Sequence, residues 1–239
     1  MTPLLFAVLA LACFLSAFVQ GASGMGFALI MAPLIGLLRP ELLPVSVLVL
    51  MMPLNALVAW RERHAIDWPG TGWILAGRFP GTFAGLWLLA VLTQGQLDMA
   101  VGLVTVLAVA GAALAPAFAP TRPAAIGAGL FTGVTETATS IGGPPLALLY
   151  QHAPASVLRA TLAICFLAGQ VVSLGFLAAA GRVDGFTLAV SLGLCPPVML
   201  GVWLAGRAHH RISDRRLRDF VLVFAAVSGV MLILRAALA

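Results

Sequence analysis

The chain has 239 residues, of which 62% are hydrophobic and only 9% are charged. A soluble domain carries about 25% charged residues, so this composition excludes a soluble globular protein. Disorder is excluded as well, because disordered chains combine low hydrophobicity with high charge. With a mean hydropathy of +1.09, we expect an all-α polytopic membrane protein with about six to nine spans.

The charged residues of the chain indicate a membrane protein. All 13 basic residues are arginine, and the formal net charge is +5. The arginines are scattered between apolar blocks and form no basic stripe, so we expect no nucleic-acid partner. Cys13, Cys165 and Cys195 lie singly in apolar runs, a pattern that indicates small packing residues and neither a zinc motif nor a disulfide framework. No metal or cofactor is predicted.

Ten apolar segments follow one another along the chain. They are longer than barrel strands and lack strict alternation, so they are predicted to be helices. The first segment lacks the positively charged start of a signal peptide, and we expect it to be retained. The segments span approximately 4–20, 25–38, 43–60, 71–92, 97–118, 123–134, 141–152, 156–180, 186–206 and 217–238.

Four of these segments are short. At 1.5 Å per residue, 25–38, 123–134 and 141–152 cannot cross a hydrocarbon core of about 30 Å, and 4–20 is marginal. The short segments form two adjacent pairs, and a break rich in Gly, Ser and Thr joins the members of each pair. The predicted breaks are Gly21–Gly26 and Gly133–Ser140, the second followed by Ile141–Pro145.

The two breaks align without a gap at an offset of 112, which places Gly21 on Gly133. Two further matches, at offsets of 117 and 116, are Asp67 with Asp184 and Trp87 with Trp203. The chain is therefore predicted to consist of two repeats, 1–120 and 121–239, each with one short pair and three transmembrane helices. Interrupted segments at matching places in a duplicated chain are typical of a transporter site.

The arginines predict the topology. If each short pair is a re-entrant hairpin, or two short full crossings, the two repeats are inverted and ten of the 13 arginines share one face. A single crossing per pair splits the arginines almost evenly, so the positive-inside rule favours the inverted arrangement, with a cytoplasmic arginine-rich face and both termini periplasmic. That face is predicted to carry Arg61, Arg63, Arg78, Arg122, Arg159, Arg207, Arg211, Arg215, Arg216 and Arg218, and the opposite face Arg39, Arg182 and Arg235.

The motifs at the two breaks resemble a known family. Phe18–Gly26 and the stretch Gly133–Pro145, with its Ile-Gly-Gly-Pro-Pro, are similar to the sulfite exporter TauE/SafE family within the toluene-sulfonate uptake permease superfamily. Leu158–Ala163 also resembles a family segment, so the resemblance spans nearly the whole chain. It implies a bacterial inner-membrane transporter of small sulfur-containing anions such as sulfite or organosulfonates.

The breaks are predicted to bind an anion near the membrane midplane. Helices that start near Gly24 and Gly142 present unpaired N–H groups and a partial positive charge, and glycines allow close approach of a ligand. The alternative is that these small residues only allow close helix packing. The predicted anion ligands are Gly21, Ser23, Gly24, Gly26, Thr135, Thr137, Thr139, Ser140, Gly142 and Gly143.

Glu136 is the predicted ion-coupling residue. A carboxylate in hydrocarbon is costly and is usually functional. Glu136 is expected to carry a coupling proton or, with backbone carbonyls, to bind Na⁺; the alternative is that it only caps the break. The gapless alignment places Gly24 at the matching position, so coupling is expected in one half only.

Four more polar residues lie inside apolar segments. Arg78 and Arg159 are expected to snorkel to the cytoplasmic face, or alternatively to hold the anion at the inner mouth. Asn55 and Gln170 occupy matching places in the two halves and either bond across helices or line the site. The histidines lie in the joints and are predicted to be solvated: His64, His152, His209 and His210.

The sequence predicts a secondary transporter that exports a small anion and is not an enzyme. A passive anion channel of the same fold is the first alternative. An intramembrane serine protease that uses Ser23 is another, since Gly21–Gly24 matches a GxSG motif, but no histidine base lies in a predicted crossing. A membrane scaffold leaves the duplicated breaks unexplained, and the chain has no nucleotide-binding GxxxxGK[ST] segment.

Overall fold

The structure, a computed structural model, describes residues 2–114, 121–208 and 214–238. Within these ranges the chain forms helices and no strands, as predicted. Two short 3₁₀ turns, Pro40–Leu42 and Arg63–Ala65, connect some of them. The helices are α1 (Pro3–Ser23), α2 (Phe27–Leu38), α3 (Val45–Arg61), α4 (Trp68–Val91), α5 (Gln94–Leu114), α6 (Arg122–Thr139), α7 (Gly143–Leu149), α8 (Ala155–Ala179), α9 (Gly185–Ala208) and α10 (Asp214–Leu238).

The distribution of side chains is that of a multi-pass membrane protein. Large apolar side chains such as Trp87 and Leu107 point outward, each with 64% of its surface exposed. Polar side chains such as Ser16 and Asn55 are buried among the helices. Among the described residues, five helices are long and apolar enough to cross a bilayer, namely α1, α4, α5, α8 and α9.

Residues of the same type cap the N-termini of corresponding helices in the two halves. Thr2 accepts a hydrogen bond from the first turn of α1, and Thr121 does the same for α6. Asp67 and Asp184 cap α4 and α9 in the same way, which satisfies N–H groups that have no partner within the helix. The side-chain and backbone hydrogen bonds from Thr187 hold the pKa of Asp184 below its ordinary value.

The helices pack in pairs that are related by exchanging α1–α5 with α6–α10. Helix α4 packs on α6, and α9 packs on α1. Helix α3 packs on α8 and α5 on α10, so each of these pairs joins equivalent helices of the two halves. This exchange pattern is what a two-fold relation between the halves produces. The inversion of the halves and a domain boundary at residue 120 stay predictions.

Backbone contacts hold α4 and α6 together. A Cβ atom on Gly77 would lie 1.9 Å from the carbonyl oxygen of Ile126, and one on Gly81 would lie 2.2 Å from that of Leu130. The contact is reciprocal, because Gly129 and Gly133 lie against backbone atoms of α4 in the same way. Small residues at four-residue spacing allow this approach of two membrane helices.

Each short pair of helices returns to the end of the molecule from which it started. Arg122, the first residue of α6, has its guanidinium 5.2 Å from the ring of Trp73. Tyr150, directly after α7, donates a hydrogen bond of 2.7 Å to Asp67. Since Trp73 and Asp67 both lie at the start of α4, the pair α6–α7 begins and ends there.

The pair α1–α2 behaves in the same way at the other end of the molecule. A Cβ atom on Gly193 of α9 would lie 3.3 Å from the ring of Phe6, near the start of α1. Arg39, directly after α2, lies 5.6 Å from the ring of Phe186 in the first turn of α9. The pair α1–α2 therefore begins and ends beside the N-terminal part of α9.

Arginines occupy both ends of the helix bundle. Arg61 donates to the carbonyl oxygen of Gly21, and Arg159 pairs with Glu62, so both lie near the turn that precedes α4. At the other end, Arg235 donates to the carbonyl oxygen of Gly36, three residues before Arg39. Outside the described residues lie Arg211, His209 and His210, and the side chains of Arg215, Arg216 and Arg218 are not described either.

The breaks are shorter than the sequence predicts. Helix α1 runs through Ser23 and α6 through Thr139, so the predicted break over Gly133–Ser140 is wrong. The non-helical links are Gly24–Gly26 and Ser140–Gly142. In hydrocarbon the backbone has no solvent partner, and a Gly- and Thr-rich segment therefore keeps its intrahelical hydrogen bonds. Only the second member of each pair is short, with 12 residues in α2 and seven in α7.

The two breaks have the same local geometry. Gly24 and Ser140 end the preceding helices with φ values of +87° and +65°, in the left-handed region. Gly26 and Gly142 then precede the first residues of α2 and α7. Both matches have an offset of 116, which is one helical turn more than the gapless alignment of 112. The predicted alignment is therefore wrong by four residues at the breaks.

Candidate functional site

The two helix breaks meet at a small cavity inside the helix bundle. The cavity has a volume of about 10 Å³, which is room for about one water molecule. It is lined by Met25 and Gly26 of the first break, by Ile141 of the second break and by Gly143 at the start of α7. Gln20 of α1 also lines this cavity, which we call the break cavity.

A buried ion pair lies next to the second break. Arg78 of α4 donates from Nη2 to Oε2 of Glu136 on α6, and their side chains are 2% and 0% exposed. The expectation that Arg78 snorkels to the membrane surface is therefore wrong. Gly169 of α8 makes room for the guanidinium, because a Cβ atom there would lie 1.7 Å from Arg78 Nε.

Glu136 does not cap the break with its side chain. Its Oε2 atom accepts from Arg78 and its Oε1 atom accepts from Gln170 Nε2 at 3.0 Å. The alternative that Glu136 only caps the break is therefore wrong. Gly142 lies directly against the carboxylate, because a Cβ atom there would be 2.7 Å from Oε2.

Three buried amides connect Glu136 with the first break. Gln170 of α8 accepts from Asn55 Nδ2 of α3 at 3.2 Å, and Asn55 accepts from Gln20 Nε2 at 3.1 Å. Gln20 in turn accepts from the backbone N–H of Phe27, the first residue of α2, at 3.0 Å. Of the two alternatives predicted for Asn55 and Gln170, the structure shows the hydrogen bond across helices. We call this series of hydrogen bonds the amide chain.

One residue of the amide chain, Gln20, was not among the predicted site residues. At the structural offset of 116, Gln20 is the counterpart of Glu136, whereas the gapless alignment had assigned Gly24 to that place. Arg78 falls on Leu194 at the same offset, so the charge pair occurs in one half only. A lone amide in an apolar run, directly before the Gly21 motif, was the signal for Gln20.

The predicted hydroxyl ligands all have protein partners. Ser23 donates to the carbonyl oxygens of Val19 and Met25, and Ser140 to that of Pro44. Thr135 and Thr139 donate to carbonyl oxygens one turn earlier in α6, and Thr137 pairs with Ser173. A direct contact between these hydroxyls and an anion stays a prediction.

The remaining predicted ligands have different surroundings. Gly21 faces α9, where its Cβ position would lie 2.9 Å from Ala205. Gly24 lies against the side chain of Arg159, which is 12% exposed and reaches Glu62 at 3.0 Å. Arg159 therefore extends toward the joint after α3, and its snorkelling to the cytoplasmic face stays a prediction.

A serine protease requires a histidine bonded to its serine, and a metal site requires a group of ligating side chains. The Ser23 hydroxyl donates to backbone carbonyls and has no hydrogen bond to a histidine there. His64 lies in a 3₁₀ turn and His152 in the turn after α7. No group of three His, Cys, Asp or Glu side chains that could hold a metal occurs among the described residues.

Discontinuous helices that meet beside buried ionisable residues are typical of membrane transporters. The comparison with known families gives the same class and a more specific assignment. The model of the family described as sulfite exporter TauE/SafE matches residues 9–232. The chain therefore belongs to the sulfite exporter TauE/SafE family, which confirms the resemblance seen at the two motifs. No curated protein and no solved structure matches the chain.

Proposed function

We propose that the protein exports sulfite or small organosulfonates across the bacterial inner membrane when they accumulate inside the cell, and that a proton on Glu136 accompanies each anion. Such symport is reversible, so an acidic exterior drives the same anions inward. The family supports the substrate class. The buried pair of Arg78 and Glu136 is the observation that carries the coupling. The anion is held between the two breaks, beside the break cavity.

The charge of the buried pair explains why proton and anion move together. With Glu136 ionised, the pair is neutral and an added anion would be an uncompensated charge in a low-dielectric interior. Protonation of Glu136 leaves Arg78 as the uncompensated charge, and an anion then restores neutrality. Two donors of Arg78, Nε and Nη1, are buried without a hydrogen-bond partner in the described structure.

The neighbour of Glu136 favours a proton over Na⁺ as the coupling ion. A sodium ion on the carboxylate would lie close to the Arg78 guanidinium, and like charges at such distances repel strongly in a low-dielectric interior. A proton adds no separate charge next to the guanidinium, because it neutralises the carboxylate itself.

We further propose that the two halves are inverted, with the arginine-rich end cytoplasmic and both termini periplasmic. The return of each helix pair to its own end of the molecule supports this arrangement. The gathering of Arg61 and Arg159 at one end and of Arg39 and Arg235 at the other supports it as well.

The experiment is uptake of radiolabelled methanesulfonate into proteoliposomes with an imposed pH gradient. Methanesulfonate stays ionised over the pH range used, so any pH dependence belongs to the protein. We expect an acidic exterior to drive accumulation, together with acidification of the interior reported by a trapped dye. Glu136→Gln should abolish gradient-driven accumulation and make methanesulfonate binding independent of pH.

Glu41→Gln is the matched control, because Glu41 has a 51% exposed side chain and pairs with Arg39 at the opposite end. This control should accumulate methanesulfonate like the wild type. Wild-type flux that only equilibrates the anion, whatever the pH gradient, would establish the passive channel instead. Unchanged gradient dependence in Glu136→Gln would remove Glu136 from the mechanism.

A further inference from the structure

We propose that the amide chain is a switch that links protonation of Glu136 at the second break to release of the Phe27 backbone N–H at the first. The inference rests on the proposed function, since it describes how the same site is regulated. It makes Gln20, Asn55 and Gln170 positioning residues that connect the proton site with the anion site.

The groups at the two ends of the amide chain fix the donor-to-acceptor direction of its hydrogen bonds. An ionised carboxylate can only accept, and a backbone N–H can only donate. Gln170 must therefore point its NH₂ group at Glu136, and Gln20 must point its carbonyl oxygen at Phe27. Asn55 between them satisfies both neighbours in one orientation only, which is the orientation observed. All three amide side chains are buried, so bulk water does not offer alternative partners.

Protonation of Glu136 requires the hydrogen bonds of the amide chain to reverse their donor-to-acceptor direction. A neutral carboxyl group must donate its O–H, and the described charged or titratable groups facing it are Arg78 on α4 and Cys165 on α8. Arginine has no acceptor, and the carboxylate oxygens face Arg78 and Gln170. Gln170 is thus the bonded partner that accepts the O–H, by turning its amide so that the carbonyl oxygen faces Glu136.

Rotation of the Gln170 amide forces the next amides, Asn55 and Gln20, to rotate as well, as far as the first break. Gln170 then presents its NH₂ group to Asn55, and Asn55 presents its own NH₂ group to Gln20. Gln20 turns in response and presents NH₂ toward Phe27. Two donors cannot bond to each other, so the Phe27 N–H loses its internal acceptor.

The released donors lie beside the break cavity. Gln20 and Gly26 line this cavity, and Phe27 begins the 12-residue helix α2. A sulfonate or sulfite oxygen could accept from the Phe27 N–H and the Gln20 NH₂ group together, with the helix dipole favouring negative charge. The buried Nε and Nη1 atoms of Arg78, which have no hydrogen-bond partner in the described structure, are two further donors that an anion could use.

The test follows the Phe27 amide by NMR in full-length protein labelled with ¹⁵N-phenylalanine. The chain has 13 phenylalanines, and Phe27→Leu assigns the relevant resonance. In the wild type we expect the Phe27 resonance to shift as pH falls and Glu136 becomes protonated. In Glu136→Gln it should hold the acidic-pH position at every pH, since the new amide must accept from Arg78 and donate to Gln170.

Asn55→Leu interrupts the amide chain without touching Glu136 or Phe27. We expect its Phe27 resonance to stay at one position at every pH, and methanesulfonate binding at acidic pH to weaken about tenfold, the value of about one hydrogen bond to a charged group. Ser46→Ala is the matched control on the same helix, because Ser46 bonds across helices to Ser191 outside the amide chain. It should behave like the wild type.

The outcomes separate the switch from the proposed function. A Phe27 resonance that follows pH in Asn55→Leu as in the wild type would overturn the switch, even where proton-coupled transport persists. Absence of pH-linked methanesulfonate binding in the wild type would overturn the proposed function, whereas the NMR measurement needs no anion. If Asn55→Leu fails to fold, which the other phenylalanine resonances report, Glu136→Gln decides: a wild-type neutral-pH position for Phe27 in that variant contradicts the switch.

Discussion

Glu136 and Arg78 are each tolerated in the interior because the other is present. Continuum arguments and mutational data agree that a lone buried charge is far more costly than a buried pair. The pair also has a polar second partner, Gln170, which satisfies the remaining carboxylate oxygen. At the scale of single residues, the proposed coupling therefore depends on whether each of the two charges is compensated.

A double-mutant cycle measures this dependence. We expect Glu136→Gln and Arg78→Met each to lower the free energy of unfolding by about 3–5 kcal/mol, because each leaves one buried charge unpaired. The double variant should recover most of that loss, because it buries no charge. Thermal unfolding in detergent micelles measures the effect, and additive losses in the double variant would show that the two charges do not interact.

Much of the site was predictable from isolated polar residues, but the contacts between them were not. Asn55 and Gln170 are conspicuous in the sequence because each interrupts an apolar segment, and Glu136 because it is a carboxylate in the predicted second break. Arg78 lies 58 positions from Glu136, and no local pattern connects them. Gln20 was missed because the gapless alignment, one turn short of the structural one, matched Glu136 with a glycine.

At the scale of helices, glycines determine how closely neighbours approach. The segments of α4 and α6 that carry Arg78 and Glu136 are held by contacts between glycines and carbonyl oxygens. These contacts set the distance between the two charged side chains, so the geometry of the pair is a property of the helix crossing.

Two glycines of α4 provide a matched comparison. Gly81→Ala should destabilise the protein by more than about 2 kcal/mol, since the added methyl would overlap the Leu130 carbonyl and force the helices apart. Gly72→Ala should be neutral or stabilising by about 0.5–1 kcal/mol, because its Cβ position has no atom within 4 Å and alanine is the better helix former. Unfolding midpoints in detergent test both changes, and equal effects would contradict the packing role of Gly81.

Helix lengths were harder to predict than helix number. The sequence placed the second break from Gly133 onward, because Gly and Thr are poor helix formers in water. The structure continues α6 to Thr139, where Thr135 and Thr139 bond back to carbonyl oxygens of the preceding turn. The environment of the helix, rather than its propensities, determined where it ends.

At the scale of the whole molecule, charge at the two ends decides orientation. Arginine counts predict a topology from the sequence alone, because the inverted arrangement assigns ten of the 13 to one face. One of these ten, Arg78, lies in the interior instead. The packing of α4 on α6 and of α9 on α1 could not be derived in that way. This packing depends on which glycine-lined helix surfaces fit against each other, and the sequence pattern does not predict that fit.

Reporter fusions test the orientation. Alkaline phosphatase fused after the last residue should be active, and green fluorescent protein at the same place should be dark, because both termini are expected in the periplasm. A fusion in the joint that contains Glu62 and Arg63 should give the opposite result. Fluorescence at the C-terminus would contradict the proposed orientation.

The backbone contact between α4 and α6 also constrains how the protein can change shape. Carbonyl oxygens that sit directly on glycines of the facing helix leave little room for the two helices to slide past each other. The two helices must then travel as one body, and Arg78 and Glu136 travel with them. Gln170 and Asn55 belong to α8 and α3, which pack on each other. The hydrogen bond between Glu136 and Gln170 joins these two pairs of helices. Under the proposed function, a movement of one pair against the other would therefore separate the carboxyl group that carries the proton from the amide chain.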